Sequence, residues 1–134
     1  MRSADRTAPA LDHVQLAAPP GCEPAARRFY GELLGLQEMD KPEELRGAGG
    51  VWFALDGAQL HIGVDAAFVP ARKAHPALRM TLRQLGRLAE RLEARGVPVT
   101  WDHRLPGFRR FFTADPWGNR LELLAPDAGD KTGL

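Results

Sequence analysis

This chain repeats itself, and the repeat constrains its fold more than any other feature. Each half runs strand, helix, glycine stop, then three further strands. The spacings agree. His13 precedes Gly35 by 22 positions and His75 precedes Gly96 by 21. Gly35 precedes His61 by 26 positions, and Gly96 precedes Glu122 by the same number. His61 and Glu122 therefore occupy equivalent places in the last strand of each half, and His13 and His75 equivalent places at the first. A βαβββ unit covers one sheet face with its helix and needs a partner for the other. Two such units side by side put four equivalent strands around one concave surface. The expectation is an α+β fold with modules at 11–64 and 75–126. They form one domain over 11–126, between flexible tails at 1–10 and 127–134.

Local patterns support that order. Leu11 to Ala17 alternates as a strand, with Val14 and Leu16 on one face and His13 on the other. From Glu23 to Leu34, the residues Ala26, Phe29, Tyr30, Leu33 and Leu34 lie on one helical face, and Gly35 is placed to end the helix. Leu36 to Met39 reads as a strand, followed by a polar stretch to Gly50. Asp56-Gly57 between Val51–Leu55 and Gln59–Val64 is a hairpin signal. In the second half, Ala77 to Leu82 reads as a strand. Leu85, Leu88, Ala89 and Leu92 mark an amphipathic helix ending at Gly96. Its arginines, Arg87 and Arg91 among them, fit a solvated face. Val97 to Trp101 is a strand, and Asp115-Pro116-Trp117-Gly118 has the residues of a tight turn between two more. After that turn Leu121 and Leu123 point one way and Glu122 the other. Alone, Glu122 fits a solvated face. In register with His13, His61 and His75, it belongs to a matched set of four metal-competent side chains.

Composition narrows the partners. The 134 residues carry a net charge of +1 and a single cysteine, Cys22, so no internal disulfide is possible. There is no basic stripe with interleaved aromatics, which argues against nucleic acid. No apolar run approaches the ~20 residues of a membrane span. The first residues lack the apolar core of a secretory signal. A reduced, cytoplasmic protein is expected.

Three stretches, LDHVQLA (11–17), FYGELLGL (29–36) and DPWGNRLELLAP (115–126), resemble the vicinal oxygen chelate superfamily. That superfamily includes glyoxalase I, extradiol dioxygenases, fosfomycin-resistance transferases and bleomycin-resistance proteins. The resemblance implies two βαβββ modules pairing into a half-open barrel, with a divalent metal (Fe, Ni, Zn, Mn or Co) in the cleft. Position by position it makes His13, His75 and Glu122 ligands. It places His61 where glyoxalase I enzymes usually carry a glutamate, either as a fourth ligand or as an acid/base group. Glu122 is the candidate ligand and base. Pro76 restricts His75 to extended backbone.

Near the cleft mouth, Arg104, Phe108, Arg109 and Arg110 are candidates for an anionic substrate group, and Trp52 and Trp101 for apolar walls. The arginines also fit a solvated loop and the tryptophans a core. The implied activity is a metal-dependent lyase, isomerase or dioxygenase reaction on a small oxygen-chelating substrate. The alternative is a metal-free protein that sequesters a ligand, as bleomycin-resistance members do. The resemblance also implies a homodimer, in which His13 and His61 of one chain can meet His75 and Glu122 of the other.

Overall fold

A computed structural model describes residues 8–127. Apart from residues 8–10 and 127, the tails expected at the termini lie outside the described residues. The order is β1 (His13–Ala18), α1 (Glu23–Ala26) continuing as a π-helical Arg27–Leu33, β2 (Gln37–Met39), β3 (Val51–Leu55), β4 (Ala58–Val64), β5 (Ala77–Arg79), α2 (Leu82–Ala94), β6 (Thr100–Asp102), β7 (Phe108–Ala114) and β8 (Arg120–Pro126). A 3₁₀ helix, Glu43–Ala48, fills the polar stretch before β3. The sheets are ordered β1-β4-β3-β2 and β5-β8-β7-β6, so the sequence repeat is a structural one. In each, the first strand runs parallel to the last and the other neighbours are antiparallel. The result is the glyoxalase-like α+β fold of two βαβββ modules, half open because the two sheets do not close into a barrel.

Two boundaries differ from expectation for identifiable reasons. Leu82 begins α2 instead of ending β5. The Thr81 hydroxyl accepts from the Gln84 amide at 3.1 Å, and the Gln84 side chain accepts from the Thr81 amide at 2.9 Å. This reciprocal cap starts a helix at that position. The strand expected from Val97 starts only at Thr100. Pro98 has no amide to donate to a ladder.

Residues from both helix-bearing sheet faces, including Tyr30, Phe53 and Leu60 from the first module and Leu88, Phe111 and Leu121 from the second, form one continuous core. The opposite sheet faces lie outside it. Strand alternation puts Gln15, Trp52, Gln59 and His61 on the open face of the first sheet, and Arg110, Phe112 and Glu122 on that of the second.

The turn ahead of β8 ties the modules together. Asp115 Oδ1 accepts from the amides of Trp117 (3.0 Å) and Asn119 (2.8 Å). Its Oδ2 accepts from the Tyr30 hydroxyl at 2.7 Å and from Asn119 Nδ2 at 2.9 Å. Asn119 Nδ2 also donates to the Ala17 carbonyl, and Asn119 Oδ1 accepts from the Ala71 amide, both at 2.9 Å. Five residues of turn thus bond to helix, edge strand and connecting loop. Burial, and then the Asp115 carboxylate, hold the Tyr30 hydroxyl well above its usual range, so it stays a donor.

Gly50 is required by close approach. Its φ is +91°, its amide donates to Glu23 Oε2 at 2.7 Å, and a Cβ there would stand 2.2 Å from the Ile62 carbonyl oxygen. Gly50→Ala is expected to cost about 3 kcal/mol in urea unfolding, as β3 is pushed off β4. A loss below about 1 kcal/mol would show that this contact yields freely.

Candidate functional site

The first open face carries a stack of rings. β1 and β4 pair in parallel with His13 opposite Gln59 and Gln15 opposite His61, while Trp52 of β3 lies opposite His61 on the other side. The Trp52 and His61 rings are 3.8 Å apart and 1° from parallel, and the His61 and His13 rings are 4.4 Å apart at 15°. His61 is thus sandwiched and only 4% exposed. Its Nε2 is hydrogen-bonded to Gln59 Oε1 at 2.8 Å, leaving Nδ1 as its remaining ring nitrogen. Burial, and next the neighbouring His13, push its pKa below the usual histidine value. His13 Nδ1 is bonded to Asp12 Oδ1 at 2.8 Å. A carboxylate only accepts, so Nδ1 holds the hydrogen, and in the neutral ring Nε2 presents a lone pair.

The second open face carries a charge cluster. Glu122 lies beside Ala77 of β5 and opposite Phe112 of β7. It is 6% exposed. One carboxylate oxygen faces His75 Nε2 at 3.0 Å, and the other accepts from Arg110 Nη1 at 3.0 Å. Arg110 also reaches Asp102, which pairs in turn with Arg104. The Arg104 guanidinium first, then the Arg104 amide and Arg110, hold the Asp102 carboxyl well below the usual carboxylate range. The hydrogen bond to Glu122 raises the Arg110 pKa. Phe112 floors the cluster, edge-on to His75 at 5.6 Å and beneath the guanidiniums of Arg110 (5.0 Å) and Arg120 (4.1 Å).

The tautomer of His75 bears on what this cluster can hold. Its Nδ1 is 2.8 Å from the Lys73 carbonyl oxygen, so Nδ1 is the donor. In the neutral ring, Nε2 would then aim a lone pair at a carboxylate oxygen. The pair needs a cation between or on these atoms, either a proton or a metal ion. The 3.0 Å separation is that of an ordinary N–H···O bond, and histidine with carboxylate is also a donor set that could hold a divalent metal. Second partners on each group, Lys73 O on His75 and Arg110 on Glu122, match the way ligating histidines and carboxylates are usually held.

The structure therefore brings the four expected residues together as two pairs, His13 with His61 and His75 with Glu122. Among the described residues of one chain, no group of three or more His, Cys, Asp or Glu side chains is placed to hold a metal ion. The parallel stack also keeps His61 and His13 from aiming at a common point.

Of the proposed binding residues, Trp52, Phe108 and Arg110 are on the open faces. Arg109 and Trp101 are not. They pair with Ala125 and Phe111, on the helix-bearing side of the sheet, and stack on each other at 4.8 Å. Two-residue alternation sends these neighbours of Arg110 and Asp102 to the other face. Arg104 is exposed and committed to Asp102. Sequence reasoning missed Phe112, Asp102 and Gln59. Counting the hairpin register back from the Asp115 turn finds Phe112 opposite Glu122, and alternation puts Gln59 on the face of His61, whereas Asp102 carries no such signal. Cys22 is buried, and burial first and Glu23 second raise its thiol pKa, so nothing marks it as reactive.

Comparison with known proteins agrees with this architecture. A glyoxalase family protein from Bacillus anthracis is 42% identical, with a TM-score of 0.85 over 95% of this chain and 100% of its own. Lactoylglutathione lyase from Agrobacterium tumefaciens shares the fold at 22% identity, with a TM-score of 0.68 over 96% of this chain and 100% of its own. An antibiotic binding protein from Streptomyces sp. CB03234 shares it at 22% identity, with a TM-score of 0.69 over 91% and 99%. No protein in the curated set matches the sequence. The family model covering residues 10–123 is that of the Glyoxalase/Bleomycin resistance protein/Dioxygenase superfamily, and the chain belongs to it.

Proposed function

We propose that this protein is a divalent-metal-dependent enzyme of the lyase, isomerase or dioxygenase type, acting on a small substrate that chelates through adjacent oxygens. The observation that carries this reading is the His75–Glu122 pair. Its 3.0 Å separation and the Nδ1 contact to Lys73 O support a cation, proton or metal ion, between these two groups, and the resemblance makes both of them metal ligands. His13, His75 and Glu122 would hold the ion, the two-histidine, one-carboxylate set that suits Fe(II) and also accepts Mn, Co, Ni or Zn. When bound, such an ion polarises substrate oxygens and stabilises developing negative charge.

The chain's own groups supply the rest. Arg110 fixes Glu122 from behind. His61, packed between Trp52 and His13, keeps one ring nitrogen to accept or return a proton at the substrate. Trp52 and Phe112 form apolar walls.

The two half-sites would meet in a homodimer. His13 begins β1 and His75 leads into β5, and both strands stand at the edge of their sheets. A twofold axis can bring the β1 edge of one copy to the β5 edge of the other, which makes two equivalent sites. Metal content of tag-free protein tests the reading. After exposure to Fe(II), Mn, Co, Ni or Zn and removal of excess, about one ion per chain is expected. No retained ion of any kind would overturn it. That result would favour ligand sequestration, a reading that rests on Arg110 already compensating Glu122 without a metal.

A further inference from the structure

The two modules leave a second concavity on the side away from the metal-competent residues. It is a groove of about 600 Å³ between the end of the first helix, the β2–β3 strands, β5 and α2. Its floor is apolar. Leu34, Leu36, Leu55, Leu78 and Met80 lie at the core's margin and stay half exposed. A core that could close would cover them, because each loses apolar burial worth about 25 cal/mol per Å² left wet.

The rim is cationic. Arg87 and Arg91 line it with Asp56 as the one acidic lining residue, while Arg79, which also borders the groove, packs its guanidinium over Phe108. Arg87 and Arg91 are one helical turn apart on α2, with Arg83 one turn before them. Like charges four positions apart on a helix oppose each other by a few tenths of a kcal/mol per pair. Arg91 is anchored to the Leu33 carbonyl at 3.1 Å. Arg83 and Arg87 have no carboxylate partner among the described residues.

We infer that this groove binds an amphipathic anion, a carboxylate with an acyl or aromatic tail, with the tail on the leucines and the head on Arg87. The volume lies within the range of small-molecule sites. Partly buried apolar side chains and an Arg87 with no carboxylate partner among the described residues are the two complementary needs such a ligand meets at once. Binding here is independent of the metal reading, because none of the lining residues is His13, His61, His75 or Glu122.

Calorimetric titration of the full chain with decanoate tests this, with decanol as the uncharged control. Decanoate is expected to bind at micromolar to low millimolar concentration, and decanol at least ~10-fold more weakly. Arg87→Glu is expected to weaken decanoate by ~10-fold or more, while Arg87→Lys retains most of the affinity. Leu78→Gln should weaken both ligands. Three results would overturn the inference: no decanoate binding, equal binding of decanol, or decanoate binding unchanged in Arg87→Glu. The same holds if sedimentation shows Arg87→Glu dissociating the protein with no decanoate bound by either form, since the groove would then be a contact between copies.

Discussion

Asp115→Ala is expected to lower the unfolding free energy by about 4 kcal/mol, a larger effect than any single apolar truncation on the protein's periphery. The Asp115 carboxylate accepts four hydrogen bonds, from two amides, the Tyr30 hydroxyl and Asn119 Nδ2. Removing it leaves the 0%-exposed Tyr30 with a buried donor and no acceptor. An orphaned buried donor costs roughly 1–3 kcal/mol, and more than one is created here. The second consequence is loss of register. The turn sets where β8 begins, and a slip of one residue would exchange Glu122 for an adjacent leucine on the open face. Tyr30→Phe removes donor and demand together and should cost only about 1 kcal/mol. Chemical denaturation of the three proteins checks the ranking. Equal losses for the two variants would mean that the carboxylate does not organise the junction.

Glu122→Ala is expected to reduce metal affinity by at least ~100-fold. Loss of partners one step outside a metal's ligands already costs 10–100-fold, and Glu122 would be a ligand itself. The local field adds to the effect. With the carboxylate gone, Arg110 and Arg120 remain over Phe112 and present positive charge where a cation would bind. Arg110→Ala should lower affinity less, because Glu122 and His75 stay in place. Metal retained undiminished by Glu122→Ala would remove Glu122 from the site.

The repeat made much of this fold legible from sequence. Equal spacings from Gly35 to His61 and from Gly96 to Glu122 reflect two modules of identical strand order, and strand alternation assigned His61 and Glu122 to open faces. Where local chemistry competed, periodicity misled. Thr81 and Gln84 cap a helix, so Leu82 left the strand that its apolar character suggested. Arg109 as a mouth residue for an anion and Trp101 as an apolar wall fit the residue types, yet alternation turns both toward the helix side. The side-chain partners that define the site were the least visible. Lys73 O and Asp102 hold their partners through three-dimensional placement, and no residue type or spacing announces it. That one chain pairs His13 with His61 and His75 with Glu122 follows the module division already visible in the sequence.

The central claim is that one metal centre is assembled from half-sites of two chains, and mixing two inactive halves tests it most directly. His13→Ala and Glu122→Ala proteins, each purified metal-poor, are denatured together, refolded as an equal mixture and loaded with metal. In a mixed dimer the half-site containing intact His13 meets the half-site containing intact Glu122, so one of its two sites is whole. Random pairing makes half the dimers mixed, and about one quarter of the wild-type metal content should return, well above what either variant alone retains. A mixture as empty as its components, with mixed dimers verified by mass, would contradict the account.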